Sequence, residues 1–459
     1  MAFDGFVKIE NEWIPYGCKD EKITIYFGMN SITLPDGLDM LVAQSLGSSP
    51  SVSSMFKLTI PLCNDGAREI DGTEKPVALF DHICDYDFRV EKYSESAKYT
   101  EMRFEFPELG YFFPSVRMCN IEAGKAEFIG APICSLDGII RYSGTDINVR
   151  VISFSDTRLE TKHRVSANTR TSLVLSFPET SDFSYFLNLY QSVKALFAFI
   201  CNRQNIALHS ATLIGTCTVV RNRKGKIADE IERLSSIFIP CEKYVERDED
   251  DKTISKTVES EYYRTHFLEL FQMFVRKEQG EVPILGAGEI HASVKYRNLI
   301  DLKQSLHITA AFEFYVRTHL PEMHSQSSID FCKDVSAFLD SYIDSHSGKL
   351  KAKAKSFKNG LNPSMSLSEK MRKVIDGYDG WSPVKPILED WFGNDYELLM
   401  KAANDWRNEL AHEKRSYEPD LNTVKAVRLV EHLNYCIVLR KAGYNDDESS
   451  AILECTLAR

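Results

Sequence analysis

Residues 394–412 read NDYELLMKAANDWRNELAH. Leu399, Ala403, Trp406 and Leu410 recur at steps of three and four, the spacing of one face of an α-helix, and polar side chains fill most positions between them. Asn394 and Glu397 are spaced to cap such a helix at its start. The stretch predicts a helix whose apolar face is core, with Arg407, Asn408 and His412 on or beside the polar face.

The chain around it keeps the same period. Tyr263, Phe267, Leu270 and Phe271 outline one helix, and 299–320 a second that Pro321 ends. In the second, Leu302, Leu306, Ala310 and Phe314 recur every four residues, which places Glu313 beside the apolar seam. Residues 328–343 and 366–375 give two more helices, the latter with Ser366 and Glu369 at capping-box spacing. After a break at Gly380-Trp381-Ser382-Pro383, the helix quoted above follows. Leu421 to Ala442 then reads as an amphipathic helix (Val424, Val427, Val430, Leu433, Ile437) closed by Gly443, and a short helix starts near Asp446. Lys349, Lys351, Lys353, Lys355 and Lys358 form a basic run between helices, either a solvated surface loop or a contact for an RNA backbone.

Before about residue 180 the period is two. Ile23, Ile25 and Phe27 alternate with polar residues, as do Phe56, Leu58 and Ile60, then Met102, Phe104 and Phe106, then Ile147, Val149 and Val151, then Leu173, Leu175 and Phe177. One buried face per strand implies an antiparallel sandwich or barrel-like sheet, with turns expected at Pro35-Asp36-Gly37, Asn64-Asp65-Gly66 and Asp137-Gly138. A helix from about Ser181, its expected N-cap, to Asn202 carries an apolar stripe from Phe183 to Ile200. The charged run 246–252 reads as a linker. The fold class is therefore α+β: a β-rich, antiparallel, sandwich-like domain over 1–256, then an all-α bundle over 257–459.

Composition narrows the chemistry. With 43% hydrophobic and 26% charged residues the chain is globular, and a net charge of -11 leaves only local patches for nucleic acid. Met1 to Phe6 has no basic region before an apolar core, and no apolar run is long enough to span a bilayer, so a cytoplasmic protein without membrane attachment is expected. The eleven cysteines form no C-x-x-C pair and read as reduced thiols. His209-Ser210 are neighbours in a strand-like run, and Gly286-Ala287-Gly288 lacks the frame of a phosphate loop, so neither carries catalysis.

Arg407 and His412 suit phosphoester cleavage with no metal and no cofactor. Imidazole exchanges protons near neutral pH, and a guanidinium holds a phosphate bidentately. RNA, whose 2′-hydroxyl is a built-in nucleophile, is the simplest substrate. At about 100° per residue, Asn408 and His412 stack one turn apart while Arg407 and His412 are about 140° apart. One helix closes both on a phosphate poorly, whereas two copies across a two-fold axis bring two such pairs together.

On these residues the chain resembles the HEPN superfamily, whose signature is an arginine, usually followed by a polar residue, and a histidine four to six residues on: here Arg407-Asn408-Glu409-Leu410-Ala411-His412. The layout is similar to the Apea-type branch, with the HEPN part over about 290–459. The resemblance implies a metal-independent endoribonuclease that works as a homodimer in bacterial antiphage, abortive-infection systems. By position, His412 would act on the 2′-hydroxyl or leaving oxygen, Arg407 would stabilise the phosphorane, Asn408 would orient the phosphate and Glu313 would assist. The N-terminal domain would sense a phage-derived activator. The alternative is a catalytically silent HEPN module that binds RNA or a phage protein.

Overall fold

The computed structural model describes residues 3–9, 12–19, 22–26, 40–45, 53–58, 63–64, 81–113, 119–122, 125–128, 133–161, 164–202, 206–223, 226–241, 260–278, 302–320, 326–361, 365–378, 380–411 and 420–457. The chain divides into two compact units, residues 1–197 with 205–259, and 198–204 with 260–459. The first is an antiparallel β-structure and the second is all helical, the α+β class that the two periodicities imply.

The first unit begins with β1 (Phe3–Ile9), β2 (Glu12–Lys19), β3 (Lys22–Tyr26), β4 (Met40–Ser45), β5 (Ser53–Leu58), β6 (Cys63–Asn64) and the long β7 (Asp81–Tyr93). β3, β2, β1, β4 and β5 pair in that order, β3 with the first half of β7 and β5 with its second half. Six strands thus close into a ring. Its interior is filled by the inward positions of the alternation, among them Val7, Ile9, Ile14, Ile23, Ile25, Leu41 and Phe56, while Phe6 and Trp13 face out.

β8 (Lys98–Phe104), β9 (Cys119–Glu122), β10 (Lys125–Phe128), β11 (Ile133–Tyr142), β12 (Thr145–Thr161), β13 (Arg164–Thr180), β14 (Ala211–Arg223) and β15 (Lys226–Pro240) follow, with α1 (Pro107–Phe112) after β8 and α2 (Phe183–Cys201) after β13. From β7 the sheet continues through β15, β14, β8, β13 and β12 to β11, and β9 and β10 form a separate pair. Met102, Phe104, Ile147, Val149, Val151, Leu173 and Leu175 are all buried, as their alternation requires. α2 contributes Phe186, Tyr190, Val193, Leu196 and Phe197 to the core, with Phe186 edge-on to Tyr99 at 5.5 Å. The Tyr190 hydroxyl donates to the Leu208 carbonyl at 2.6 Å.

Three local expectations change. Asp137-Gly138 is not a turn but lies inside β11, paired with Arg150 and Val149; the hairpin turn is Ser143-Gly144, whose φ values of 50° and 75° are those of a two-residue primed turn. Asp182, not Ser181, caps α2, accepting from the Ser184 amide at 2.9 Å. His209 and Ser210 precede β14 and are not in a strand. The expected turn at Pro35-Asp36-Gly37, the run 246–252 and Gly286-Ala287-Gly288 lie outside the described residues.

The second unit contains α3 (Phe267–Glu278), α4 (Leu302–His319), α5 (Gln326–Ser345), α6 (Gly348–Asn359), α7 (Leu367–Asp376), α8 (Lys385–Phe392), α9 (Tyr396–Ala411), α10 (Leu421–Ala442) and α11 (Asp446–Leu457). Its axis is α10, capped by Asp420 and closed by Gly443 in the left-handed conformation. Instead of one apolar stripe, α10 buries every residue from Leu429 to Leu439, because α3, α4, α7, α9 and α11 pack around it. Ser366 and Glu369 form the capping box of α7. Among the described residues no helix is long and apolar enough to cross a membrane.

Candidate active site

α9 exists because Leu399, Met400, Ala403 and Trp406 bury one side of it. It starts at Tyr396, so Asp395 and not Asn394 holds the residue before it. Arg407 flanks that side, one turn on from Ala403, and Asn408 lies further round; both are half-buried. α9 packs on α4 and α7, which also touch each other. Each supplies one charge to the place where they meet.

Glu313 of α4 stands between two cations. Its Oε2 accepts from Arg407 Nη2 at 3.4 Å, and its Oε1 lies 3.7 Å from Lys370 Nζ of α7. Arg407 Nη1 also donates to the side-chain oxygen of Asn408 at 3.3 Å. These separations are long for charge-assisted hydrogen bonds, so the guanidinium is held loosely and retains donors for an anion. Two cations around one carboxylate leave the cluster with a net charge of about +1 on an otherwise acidic chain.

The structure thus brings together Arg407, Asn408 and Glu313, three of the residues that the sequence singles out. The way Glu313 arrives differs from expectation. The buried line of α4 is Ser305, Ile308, Thr309, Ala311, Phe312, Tyr315 and Val316, whereas Leu306 and Ala310 are exposed. Four-residue steps drift around a 3.6-residue helix, so that spacing picks out a different face from the one that α10 covers. His412 lies outside the described residues. Lys370 has one signal in the sequence, its place at the edge of the apolar side of its helix, one turn from Leu367 and from Val374.

The five lysines are not in a loop. Lys349, Lys351, Lys353, Lys355 and Lys358 lie on α6, where two-residue spacing spreads them around the axis, Lys349 and Lys353 on one side and the other three roughly opposite. Lys358 pairs with Asp340 of α5. A single lysine-lined face is therefore absent from α6.

A second polar group sits inside the bundle. His432 on α10 is buried beside Trp391 and Phe392, with ring centroids 4.7 Å and 5.0 Å away. Its Nδ1 is 2.7 Å from the Arg428 carbonyl, so Nδ1 carries the proton and donates. Burial pushes its pKa down from 6.5 to about 4, opposed by the neighbouring Glu431 carboxylate. Between those values the unfolded chain binds a proton that the folded chain refuses. Stability is therefore full above pH 6.5 and falls as the pH drops towards 4, by about 3 kcal/mol from this group. Urea unfolding at pH 7 and pH 4.5 is expected to show that loss in the parent and a smaller one in His432→Gln; equal losses would assign the slope to other groups.

Compared with protein-family models, with curated proteins and with solved structures, the chain matches none. Any functional reading rests on the residues themselves.

Proposed function

We propose that the protein is a metal-independent endoribonuclease of the HEPN type, cytoplasmic, acting as a homodimer in a bacterial antiphage response. The observation that supports this most is the half-exposed cluster of Arg407, Asn408 and Glu313, built on packed helices within an all-helical unit. In the proposed mechanism Arg407 releases its loose contact with Glu313 and binds the scissile phosphate, where its fork stabilises charge on the pentavalent oxygens. His412 takes the 2′-hydroxyl proton or returns one to the leaving oxygen, and Asn408 fixes the phosphate orientation. Glu313 and Lys370 then set the position and field of the arginine. The products are a 2′,3′-cyclic phosphate and a 5′-hydroxyl. The β-rich unit is the proposed sensor of a phage-derived activator, since an unrestrained ribonuclease harms its host.

The pairing of Arg407 with Glu313 also favours a second reading, a silent module that binds RNA or a phage protein while its arginine stays engaged. The two separate in an assay of RNA cleavage with excess chelator and defined 3′ ends. Cleavage that persists and leaves cyclic phosphate supports the nuclease. Binding without cleavage under every activating condition supports the module.

A further inference from the structure

β11 stands at the end of the open sheet. It pairs with β12 along one edge, and among the described residues no strand lies on the other. Such an edge presents a row of amide and carbonyl groups that a further strand can satisfy. The edge is regular over only part of its length. Its pairing with β12 slips between Cys134 and Leu136, and the strand ends at Tyr142, before the Ser143-Gly144 turn. What remains is a regular segment of seven residues, 136–142, whose middle residue is Ile139.

Alternation gives this segment two faces. Ile140 and Tyr142 are buried, and Leu136 and Gly138 continue their side. Asp137, Ile139 and Arg141 take the other side and are exposed, Ile139 to 64%. Edge strands commonly carry charge to keep other strands away. Here the two charges have opposite sign and flank an exposed isoleucine at equal distances, so they select a strand with the same arrangement read backwards.

A second copy of β11 is that strand. Two antiparallel edges related by a two-fold axis perpendicular to the sheet keep their inner and outer faces, and each residue meets its mirror position about the axis. With the axis at Ile139, Ile139 meets its own copy, Asp137 meets Arg141 and Arg141 meets Asp137. On the inner face Leu136 meets Tyr142 and Gly138 meets Ile140, apolar against apolar. The next strands extend the match. Within one chain Asp137 is opposite Arg150, and Arg141 is opposite Asp146 with their charged atoms 4.0 Å apart. The row across the junction therefore reads Arg150, Asp137, then Arg141 and Asp146 of the second copy, with the sign alternating throughout. Symmetry repeats the row on the other side of the axis. Moving the axis by one residue sets a charge against Ile139, and moving it by two sets Asp137 or Arg141 against its own copy, which is destabilising.

We propose that β11 is an interface between two copies of this chain, joined edge to edge about Ile139 into one continuous antiparallel sheet. It lies wholly in the β-rich unit and does not rest on the nuclease reading. Arg407→Ala is expected to associate through it like the parent, and a failed cleavage assay leaves it standing.

Ile139→Cys tests it. Opposed residues of an antiparallel pair have Cα atoms about 4.5 or 5.5 Å apart, both within reach of a disulfide. Mild oxidation at micromolar concentration is expected to convert most of the Ile139→Cys chain to a covalent dimer on a non-reducing gel, and to leave the parent and Asn148→Cys as single chains. Asn148 is exposed on the same face opposite Ile139, but its copy lies three strand spacings away, roughly 14 Å. Asn148→Cys that bridges as fully as Ile139→Cys overturns the proposal. So does Ile139→Cys that stays single, which would leave the edge to a strand of another protein. Added to Ile139→Cys, Asp137→Arg and Arg141→Asp each set like charges together twice, and each is expected to slow bridging at least tenfold. Mixed in equal amounts, the two are expected to regain the rate of Ile139→Cys, because every reversed charge then meets its opposite. A single charge variant that bridges at full rate, or a mixture that stays slow, overturns the proposal. If circular dichroism shows a charge variant misfolded, the comparison of Ile139→Cys with Asn148→Cys decides alone.

Discussion

Arg407→Ala is expected to fold like the parent and to lose at least a hundredfold in RNA cleavage. The two halves of that expectation rest on different magnitudes. The side chain is 41% exposed and its partner Glu313 is 29% exposed, and an ion pair this open contributes only about 0.5 kcal/mol to stability. Removing a donor aimed at transition-state charge costs about 3 to 4 kcal/mol, or 10² to 10³ in rate. Stability and activity therefore separate. Arg407→Lys keeps the charge but not the planar fork, and it is expected to restore only a small part of the rate. Glu313→Gln frees Arg407 from its one carboxylate partner among the described residues and is expected to change the rate by far less than Arg407→Ala. Cleavage rates measured beside urea unfolding curves decide the matter. An Arg407→Ala chain that cleaves within a few-fold of the parent removes this arginine from the chemistry.

The largest loss of stability is expected at Gly215. It lies on β14 opposite Tyr99 of β8, where the pairing slips by one residue between Ile214 and Gly215. A Cβ there would fall onto the Lys98 carbonyl oxygen and within 2.6 Å of Tyr99 Cα. Both are backbone atoms of a central strand, so nothing flexible can yield. Gly215→Ala is expected to destabilise by at least about 3 kcal/mol, a drop of roughly 10 °C in Tm for a unit of this size. Gly110 in α1 supplies the contrast, since an added Cβ meets nothing within 4 Å. There alanine is expected to be neutral or slightly stabilising. Equal Tm values for the two variants would show that β8 and β14 do not approach this closely in solution.

The change of period from two to 3.6 separates the β-rich unit from the helical one, because each period states which side of an element faces the core. Ile147, Val149 and Val151 are inward for that reason, as are Leu399, Ala403 and Trp406. Where an element has neighbours on several sides the pattern dissolves, and α10 is the example: its stripe marks residues no more buried than those between them. Turn chemistry misleads where a strand tolerates its residues. Asp137-Gly138 sits within β11, and the less conspicuous Ser143-Gly144 makes the hairpin. At the candidate site, Arg407 and Asn408 are legible as polar positions on an amphipathic helix. That Lys370 joins them through Glu313 depends on how three helices meet, with contacts between residues 57 and 94 apart in the chain that no local spacing encodes.

The strand β7 takes part in two closures at once. Its first half completes the six-strand ring through β3, and its second half pairs with β5 of that ring on one side and β15 of the open sheet on the other. The ring offers no free edge there to a foreign strand, so pairing itself guards it against edge-to-edge aggregation. Nor can β7 itself unfold without breaking both the ring and the hydrogen bonds that join it to the open sheet. Ring and sheet therefore share one cooperative unit, and β7 belongs to the last part of that unit to unfold.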